Sequence, residues 1–398
     1  MTSDGRPTAS STYDVIVVGI GGMGSAACYH LARRGKRVLG LERYDVPHAM
    51  GSSHGVNRII RLAYYEDPRY VPLLCRAYEL WRELQAGFGE QLLYITGSID
   101  ASDREGEVFR GALRSCEIHG LAHEVLPSAD LSRRFPAFRL PPDYFALHQP
   151  DGGFLLSERC VVAHVFGALA AGADIRARER VVRWVPTTNG VRIETDRGTY
   201  EAERLVVSAG AWMQQLVPAL ASLARPERQV LAWFQPANPD LFAPPRCPVF
   251  NLTVEEGRYY GFPVFGIPGF KIGRYHHLAE EIDPDAFDRE PNEADEAILR
   301  AFATRYFPDG AGATMTLRSC IFTNTPDEHF VIDALPEAPQ VIVASPCSGH
   351  GFKFCSVVGE ILADLASRGA TDHDIDLFRL GRFAEAGGGE PALRATEV

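Results

Sequence analysis

Long hydrophobic runs are missing from this sequence. No apolar stretch approaches the roughly 18 to 20 residues that a membrane-spanning helix needs, so we expect no membrane segment. The polar first twelve residues lack the apolar core and small-residue cleavage site of a secretory signal. Hydrophobic residues make up 46% and charged residues 23%, which is the balance of a globular protein. We therefore expect a cytoplasmic location.

The cysteines show no pairing pattern. Eight are scattered over 398 residues, with no CxxC pair and no histidine at metal-ligand spacing. In a cytosolic chain most of them should be reduced and buried. The sequence therefore predicts neither a disulfide framework nor a bound metal.

Dense basic segments are also absent. The formal charge is −11 at pH 7, and Lys and Arg form no block suited to a phosphate backbone. We expect a small molecule, and not nucleic acid, as the partner. The length favours two domains.

The chain begins with a predicted strand, helix and strand. Residues 13–18 and 37–41 have the apolar runs of buried strands, and 25–34 has helical periodicity. Further predicted helices cover 72–84, 103–120, 292–306 and 356–368, and further predicted strands cover 180–184, 191–194, 205–208 and 341–344. This mixture predicts an α/β protein.

A dinucleotide-binding motif joins the first strand to the first helix. Gly19 suits the tight turn, Gly21 the approach of a pyrophosphate, and Gly24 the close packing of helix on strand. Glu42, which follows the second strand, would accept hydrogen bonds from ribose hydroxyls. This acid disfavours a 2′-phosphate but does not separate NAD from FAD.

Further motifs occur in order along the chain. They are Glu42-Arg43, His48, 51–55, 57–61, 260–263, 270–273, 319–328 and 347–353. Over about residues 13–383 the sequence resembles the monomeric sarcosine oxidase family of amine oxidases. That family includes oxidases of sarcosine, N-methyltryptophan and pipecolate, and it resembles D-amino acid oxidase in fold.

The resemblance implies a fold that is α/β, or α+β overall. A Rossmann-like FAD-binding domain should contain an inserted substrate domain with a mixed or antiparallel sheet. The expected FAD-binding segments are 1–90, 150–222 and 318–385, the expected substrate segments are 91–149 and 223–317, and a mobile tail is expected at 386–398.

The resemblance also implies FAD held covalently. Cys320 matches the cysteine whose thiolate bonds to the 8α-methyl carbon of the flavin. Without the family, Cys320 would be one of eight cysteines and a small buried hydrophobe. The other residues assigned to the cofactor are Gly19, Gly21, Gly24, Glu42, Arg43, Ser52, Ser53, Gly349, His350, Gly351 and Lys353.

Four residues match positions at the reacting face. Lys271 matches the lysine near flavin N5 that activates oxygen, because a fixed cation stabilises the charge that develops as O2 is reduced. Arg58 and His54 match positions beside the ring, although His54 could merely cap a loop. Tyr260 belongs to the same group.

Substrate recognition is assigned to two cations and two aromatic residues. Arg61 and Lys353 match the positions that bind a substrate carboxylate. Phe322 stands where sarcosine oxidase has a tyrosine. Tyr275 has the spacing of a family histidine, which a shift of one residue would give to His276. Since this pocket wall departs from the family pattern, sarcosine itself is not predicted.

The expected activity is oxidation of the C–N bond of a carboxylate-bearing secondary amine or cyclic amino acid. A hydride equivalent would pass to FAD, and O2 would yield hydrogen peroxide. The alternatives are a flavin dehydrogenase with another acceptor, a biosynthetic oxidation of a cyclic imine to an aromatic carboxylate, and a silent FAD-binding protein. We expect a monomer, with a dimer as the alternative.

Overall fold

The computed structural model of the chain describes residues 12–386. Ala386, the first residue of the predicted tail, ends a short helix, and the remainder of that tail lies outside the described residues. Within 12–386, none of the helices combines the length and the apolar composition needed to cross a bilayer.

The described strands lie throughout the chain. They are β1 (Thr12–Val18), β2 (Val38–Leu41), β3 (Asn57–Ile60), β4 (Leu93–Ile95), β5 (Ser98–Asp103), β6 (Glu124–Pro127), β7 (Tyr144–Gln149), β8 (Gly153–Leu156), β9 (Asp174–Arg176), β10 (Val181–Thr187), β11 (Gly190–Thr195), β12 (Thr199–Val207), β13 (Arg225–Phe234), β14 (Val249–Val254), β15 (Gly257–Phe262), β16 (Phe270–Arg274), β17 (Thr314–Asn324), β18 (Val331–Leu335) and β19 (Ala338–Ser345).

The described α-helices alternate with groups of strands. They are α1 (Gly22–Arg33), α2 (Val71–Phe88), α3 (Glu107–His119), α4 (Ser128–Arg134), α5 (Ser157–Ala170), α6 (Met213–Leu216), α7 (Glu293–Tyr306), α8 (Cys355–Arg368) and α9 (Gly381–Ala386).

The first sheet contains the predicted strand, helix and strand unit. Its path is β10-β11-β12-β1-β2-β9, and β19 pairs with both β12 and β18. β1 runs parallel to β2 and β12, and α1 packs against α5 and α8. Because a central parallel strand is buried on both faces, its sequence is continuously apolar. Val15, Ile16 and Val17 of β1 are accordingly buried.

The start of the first helix was predicted too late in the chain. It starts at Gly22 and not at residue 25, because Gly21 is already its N-cap. Gly22 and Gly24 thus lie in the first helical turn, where their low helix propensity conceals the start. The other predicted helices are confirmed as α2, α3, α7 and α8, with shifted ends.

Helix α5 was not predicted. Its sequence contains Val161, Val162 and Val165, whose β-branched side chains lower helix propensity. Packing against α1 stabilises the helix instead. Tertiary contact therefore overrides local preference in this segment.

The second sheet confirms the expected mixed sheet. Its order is β17-β13-β16-β15-β14-β5-β7-β6, with β14 parallel to β5 and antiparallel to β15. One face packs on α7, as Val230, Ala232 and Phe234 of β13 share a core with Leu299 and Phe302. Successive strand residues point to opposite faces. The intervening residues of β13 therefore face the other way.

A third, small antiparallel sheet has the order β3-β8-β4. β3 carries Asn57 and Arg58 and leads directly to Arg61. The sheet thereby fixes the segment that contains several of the predicted site residues.

The division into domains stays a prediction. β17 begins at Thr314, before the predicted boundary at 318, and pairs along its length with β13 of the expected substrate segment. Cys320 consequently lies in the second sheet, although the prediction placed it in an FAD-binding segment.

The contact between α1 and α8 can be tested at Gly359. A Cβ there would lie 2.5 Å from Cβ of Ala26 and 2.6 Å from its carbonyl carbon. Gly359→Ala should separate the helices and lower the free energy of unfolding by about 1–3 kcal/mol, measured by urea denaturation. Gly87→Ala is the control, because its Cβ would meet nothing within 4 Å; helix propensity should make it neutral or stabilising by up to about 1 kcal/mol. Equal stability of the two variants would contradict the close packing.

Candidate active site

The glycine turn leaves the N-terminus of α1 open to a long cleft. Gly19 has φ +86, and a Cβ on Gly24 would lie 1.8 Å from the carbonyl oxygen of Gly19. No other residue fits Gly24 without moving backbone. Gly21, Gly22 and Met23 at the start of α1 line the cleft, and the positive end of a helix favours an anion.

Glu42 lies beside this turn at the end of β2. Its carboxylate accepts hydrogen bonds from the backbone N–H of Ile20 (2.8 Å) and of Tyr44 (2.9 Å). Burial alone would raise the pKa of Glu42, but His48 and these two amides lower it. The acid is thus ionised and held rigidly at the edge of the cleft.

The cleft has an empty volume of about 1610 Å³, counting its opening to solvent. Ser53 Oγ accepts the N–H of Gly22 (3.0 Å) and Ser52 Oγ donates to the carbonyl of Ile321 (2.6 Å). Arg43 is paired with Asp285 at 2.8 Å. The predicted cofactor and ring residues that line the cleft are Gly19, Gly21, Glu42, Arg43, Ser52, Ser53, Arg58, Cys320, Gly349 and Gly351, and the predicted substrate residue Phe322 lines it as well.

Cys320 lies at one end of the cleft. Arg58 Nη2 donates to the carbonyl of Ser52 (2.9 Å) and lies 3.4 Å from Sγ of Cys320. Burial would raise the pKa of this thiol, but His54 and Arg58 lower it to about 6. Burial raises the pKa of the other seven cysteines. Cys320 is therefore the cysteine that is a thiolate at neutral pH.

The second sheet positions much of the remaining site. Asn251 pairs with Asp100 on one side and with Tyr260 on the other, and Phe262 pairs with Lys271. Directly paired residues point to the same face of a sheet. Side chains that are distant in sequence are thus brought together on the face opposite α7.

A smaller pocket adjoins the cleft at Cys320. Both cavities are lined by Arg58, Cys320, Phe322, Gly349 and Phe352. The other residues of the smaller pocket are Ile59, Arg61, Asn251, Tyr260, Phe262, Tyr275, His350 and Lys353. Gly24, His54 and Lys271 line neither cavity.

Arg61 is almost wholly buried beside a carboxylate. Its Nη2 donates to both oxygens of Glu66 (2.9 and 3.1 Å), and its Nη1 donates to the carbonyl of Ala63 (2.7 Å). Burial would raise the pKa of Glu66, but Arg61 lowers it to about 2. Glu66 therefore keeps the guanidinium charged inside the protein.

Lys353 lies on the same pocket with fewer partners. Its Nζ donates to the carbonyl of His350 at 2.6 Å, and an ammonium has three N–H groups. Burial and the charge of Arg61 lower the pKa of Lys353 to about 7. An anion entering the pocket would raise that pKa and complete the hydrogen bonds of the ammonium.

Lys271, in contrast to Lys353, has a hydrogen-bond acceptor for each donor of its ammonium. Its Nζ donates to the carbonyls of Gly55 and Asn57 and to Oδ1 of Asn57, each at 2.8 Å. Three acceptors match the three donors of an ammonium, although burial and Arg58 lower its pKa. Lys271 is thus a fixed group behind the pocket wall.

Tyr275, and not His276, reaches the pocket. Its ring lies 5.2 Å from that of Tyr260 and 5.7 Å from that of Phe322, centroid to centroid. His276 turns away with φ +52 and bonds to Glu227 and Glu328 (each 3.0 Å). Tyr275, the first residue after β16, therefore takes the position at the pocket.

His350 is fully hydrogen-bonded. Its Nδ1 lies 2.6 Å from the hydroxyl of Tyr64, and its Nε2 lies 3.0 Å from the carbonyl of Glu328. Burial lowers the pKa of His350 to about 4. His54, by contrast, is buried with both ring nitrogens unpartnered among the described residues.

The chain is similar to known proteins over most of its length. Residues 14–365 match the family described as FAD dependent oxidoreductase, DAO. The chain belongs to this family. It is 42% identical over 382 residues to the monomeric sarcosine oxidase of Streptomyces avermitilis, which covers 95% of this chain and 99% of that protein. The sequence resemblance is thereby confirmed.

Two further similarities extend this result. The chain is 37% identical over 377 residues to N-methyl-L-tryptophan oxidase of Salmonella arizonae, covering 94% of this chain and 100% of that one. Among solved structures, it resembles NikD, described as an unusual amino acid oxidase essential for nikkomycin biosynthesis. The TM-score is 0.81 at 28% identity, covering 92% and 97% of the two chains.

The described residues of this FAD dependent oxidoreductase fit its cofactor. The cradle at Gly19 and Gly24 leaves space and amide donors for a pyrophosphate. Glu42 is ionised where a ribose would lie. The thiolate of Cys320 and the guanidinium of Arg58 both line the cleft, where they could contact a flavin ring.

Three site residues escaped the sequence analysis: Glu66, Asp100 and Asn251. Asn251 had one usable signal, a polar side chain inside the largely apolar strand β14. Asp100 had none, because β5 contains several other polar residues. The composition of the chain also singles out the two lysines of the site. Only three of the 40 Lys and Arg residues are lysine, and two of these, Lys271 and Lys353, are buried here.

Proposed function

We propose that this chain oxidises the C–N bond of a secondary amine or cyclic amino acid that carries a carboxylate, with O2 as the acceptor. The supporting observation is the small pocket that joins the FAD cleft at Cys320 and contains Arg61 and Lys353. Bound FAD supplies the redox chemistry, accepting a hydride equivalent from the substrate and passing its electrons to O2.

Arg61 and Lys353 would anchor the carboxylate. Lys353 has uncommitted donors, and Arg61 retains N–H groups beyond those used by Ala63 and Glu66. Two charge-assisted contacts fix both the position and the direction of a small anion. The C–H bond that breaks is thereby held at the mouth of the cleft.

Aromatic residues would set the shape of the pocket. Tyr260, Tyr275, Phe262 and Phe322 form its walls. A largely apolar wall favours the neutral form of a substrate amine, since burial penalises the ammonium. A neutral nitrogen is the form from which hydride transfer can proceed.

We further propose that FAD is bonded to Cys320. The low pKa of this thiol and the charge of Arg58 beside it support the assignment. Protein prepared without flavin and then incubated with FAD in air should become yellow in a form that acid precipitation does not release. Forming the C–S bond would break one C–H bond of the 8α-methyl group with loss of its proton, and O2 would take up the two electrons released. The rate should rise with pH and level off above about 6, because the thiolate is the nucleophile. The absorbance of the precipitate, followed over time, measures the rate at which flavin becomes bonded to the protein.

Two serine variants complete this test. Cys320→Ser should release all its flavin on acid precipitation, whereas Cys347→Ser, at another cysteine of the same cleft, should retain it. Retention by Cys320→Ser would refute the bond.

The proposed activity is tested with a panel of N-methyl and cyclic amino acids. The substrate should bleach the flavin under argon and produce peroxide in air. Lys353→Met and Arg61→Met should each lower kcat/KM by about 10- to 100-fold, since one charge-assisted hydrogen bond contributes roughly 1.5–3 kcal/mol. Arg178→Met is the control, because that side chain is exposed. Bleaching without peroxide would identify a dehydrogenase, and unchanged kinetics in both variants would contradict the carboxylate anchor.

Lys271 is proposed to supply positive charge for the reaction with O2. Lys271→Met should slow reoxidation of the bleached enzyme by about 10²- to 10³-fold, the usual effect of removing one preorganised donor. Anaerobic bleaching should change much less. Stopped-flow absorbance separates these two steps, and Lys36→Met, which lies after the C-terminus of α1, is the control. Equal slowing of both steps would assign Lys271 a purely structural role.

A further inference from the structure

A polar pair lies at the small pocket without a role in the chemistry above. Asn251 lines the pocket, and its Nδ2 donates to Oδ1 of Asp100 at 2.9 Å. Asp100 is wholly buried, and its Oδ2 has no hydrogen-bond partner among the described residues. Buried polar atoms are normally satisfied, so an unpartnered one here needs an explanation.

The surroundings of Asp100 fix the direction of the Asn251 amide. Arg61 Nε lies 3.5 Å from the same Oδ1 of Asp100, so a guanidinium lies beside the carboxylate. Burial raises the pKa of Asp100 to about 6, which leaves it ionised at pH 8. An ionised carboxylate only accepts hydrogen bonds. The amide must therefore direct Nδ2 at Asp100.

The amide oxygen of Asn251 is then left for a ligand. No hydrogen bond among residues 12–386 uses Oδ1 of Asn251. A substrate carboxylate cannot bind to it, because both groups are acceptors. The pocket thus contains, beside its anion site, an acceptor that only an N–H or O–H group can satisfy.

We propose that Asn251 is a specificity-determining residue, oriented by Asp100, that selects substrates whose side chain or ring carries a hydrogen-bond donor such as a hydroxyl or amide N–H. This inference rests on the proposed amino acid oxidase function. It implies that N-methylglycine, whose only donor is the amine N–H at the reacting centre, leaves the acceptor unpaired. Such a loss reduces binding because the buried oxygen gives up water without replacement.

Matched substrates test the proposal on the unmodified holoenzyme at pH 8. Racemic N-methylserine is compared with racemic N-methyl-2-aminobutyrate, and 4-hydroxyproline with 4-methylproline, so that each pair exchanges a hydroxyl for a methyl. The hydroxyl member should have a kcat/KM at least about 10-fold higher, corresponding to one hydrogen bond. Equal or greater reactivity of both methyl members would overturn the inference and leave the oxidase function standing. Absence of anaerobic bleaching by these compounds and by the whole panel of N-methyl and cyclic amino acids would overturn the oxidase function itself.

Two variants separate recognition from structure. Asn251→Leu has a similar shape without the acceptor, and it should abolish the preference while retaining activity on the methyl members. Asp100→Asn should weaken the preference through KM, since the amide of Asn251 loses its fixed direction, with kcat little changed. Flavin content and thermal midpoint report folding. A hydroxyl preference that survives in a folded Asn251→Leu enzyme would refute the role of Asn251.

Discussion

The site depends on one constraint, the alternation of side chains along the second sheet. Alternate residues of each strand pack against α7 and form an apolar core. The residues between them point to the opposite face of the sheet, on the side of the pocket. Lys271, Tyr260 and Asn251 all occupy that second set. A slip of one residue in any strand would bury its functional group in the core and turn a core residue toward the substrate. The hydrophobic core therefore fixes the register of the site.

The burial of charged side chains is the second constraint on the site. Isolated charges are costly in a protein interior, and each cation here has a specific compensation. Arg61 is paired with Glu66, and Lys271 with three oxygen atoms. Lys353 has one acceptor and a pKa near 7. It is therefore the cation of this group whose charge responds most to an entering anion.

Local sequence was sufficient to predict a feature where a single segment contains the residues that specify it. The apolar run of β1, the glycines after it and Glu42 identified a dinucleotide site, and the longer motifs identified the FAD-dependent family. It was insufficient where contacts between segments decide the outcome. The valines of α5 concealed a helix that packing stabilises. A positive φ at His276, two residues after β16, turns that side chain away and leaves Tyr275 at the pocket.

By itself, the sequence determined the fold class, the cofactor and the residue types available for chemistry, because these follow from short-range patterns. Only the tertiary structure decided which residues meet. Asp100 and Asn251 lie about 150 positions apart and become neighbours solely through the pairing of β5 with β14. The lowered pKa of Cys320 likewise arises from His54 and Arg58 of a distant segment, since electrostatic interaction depends on separation in space.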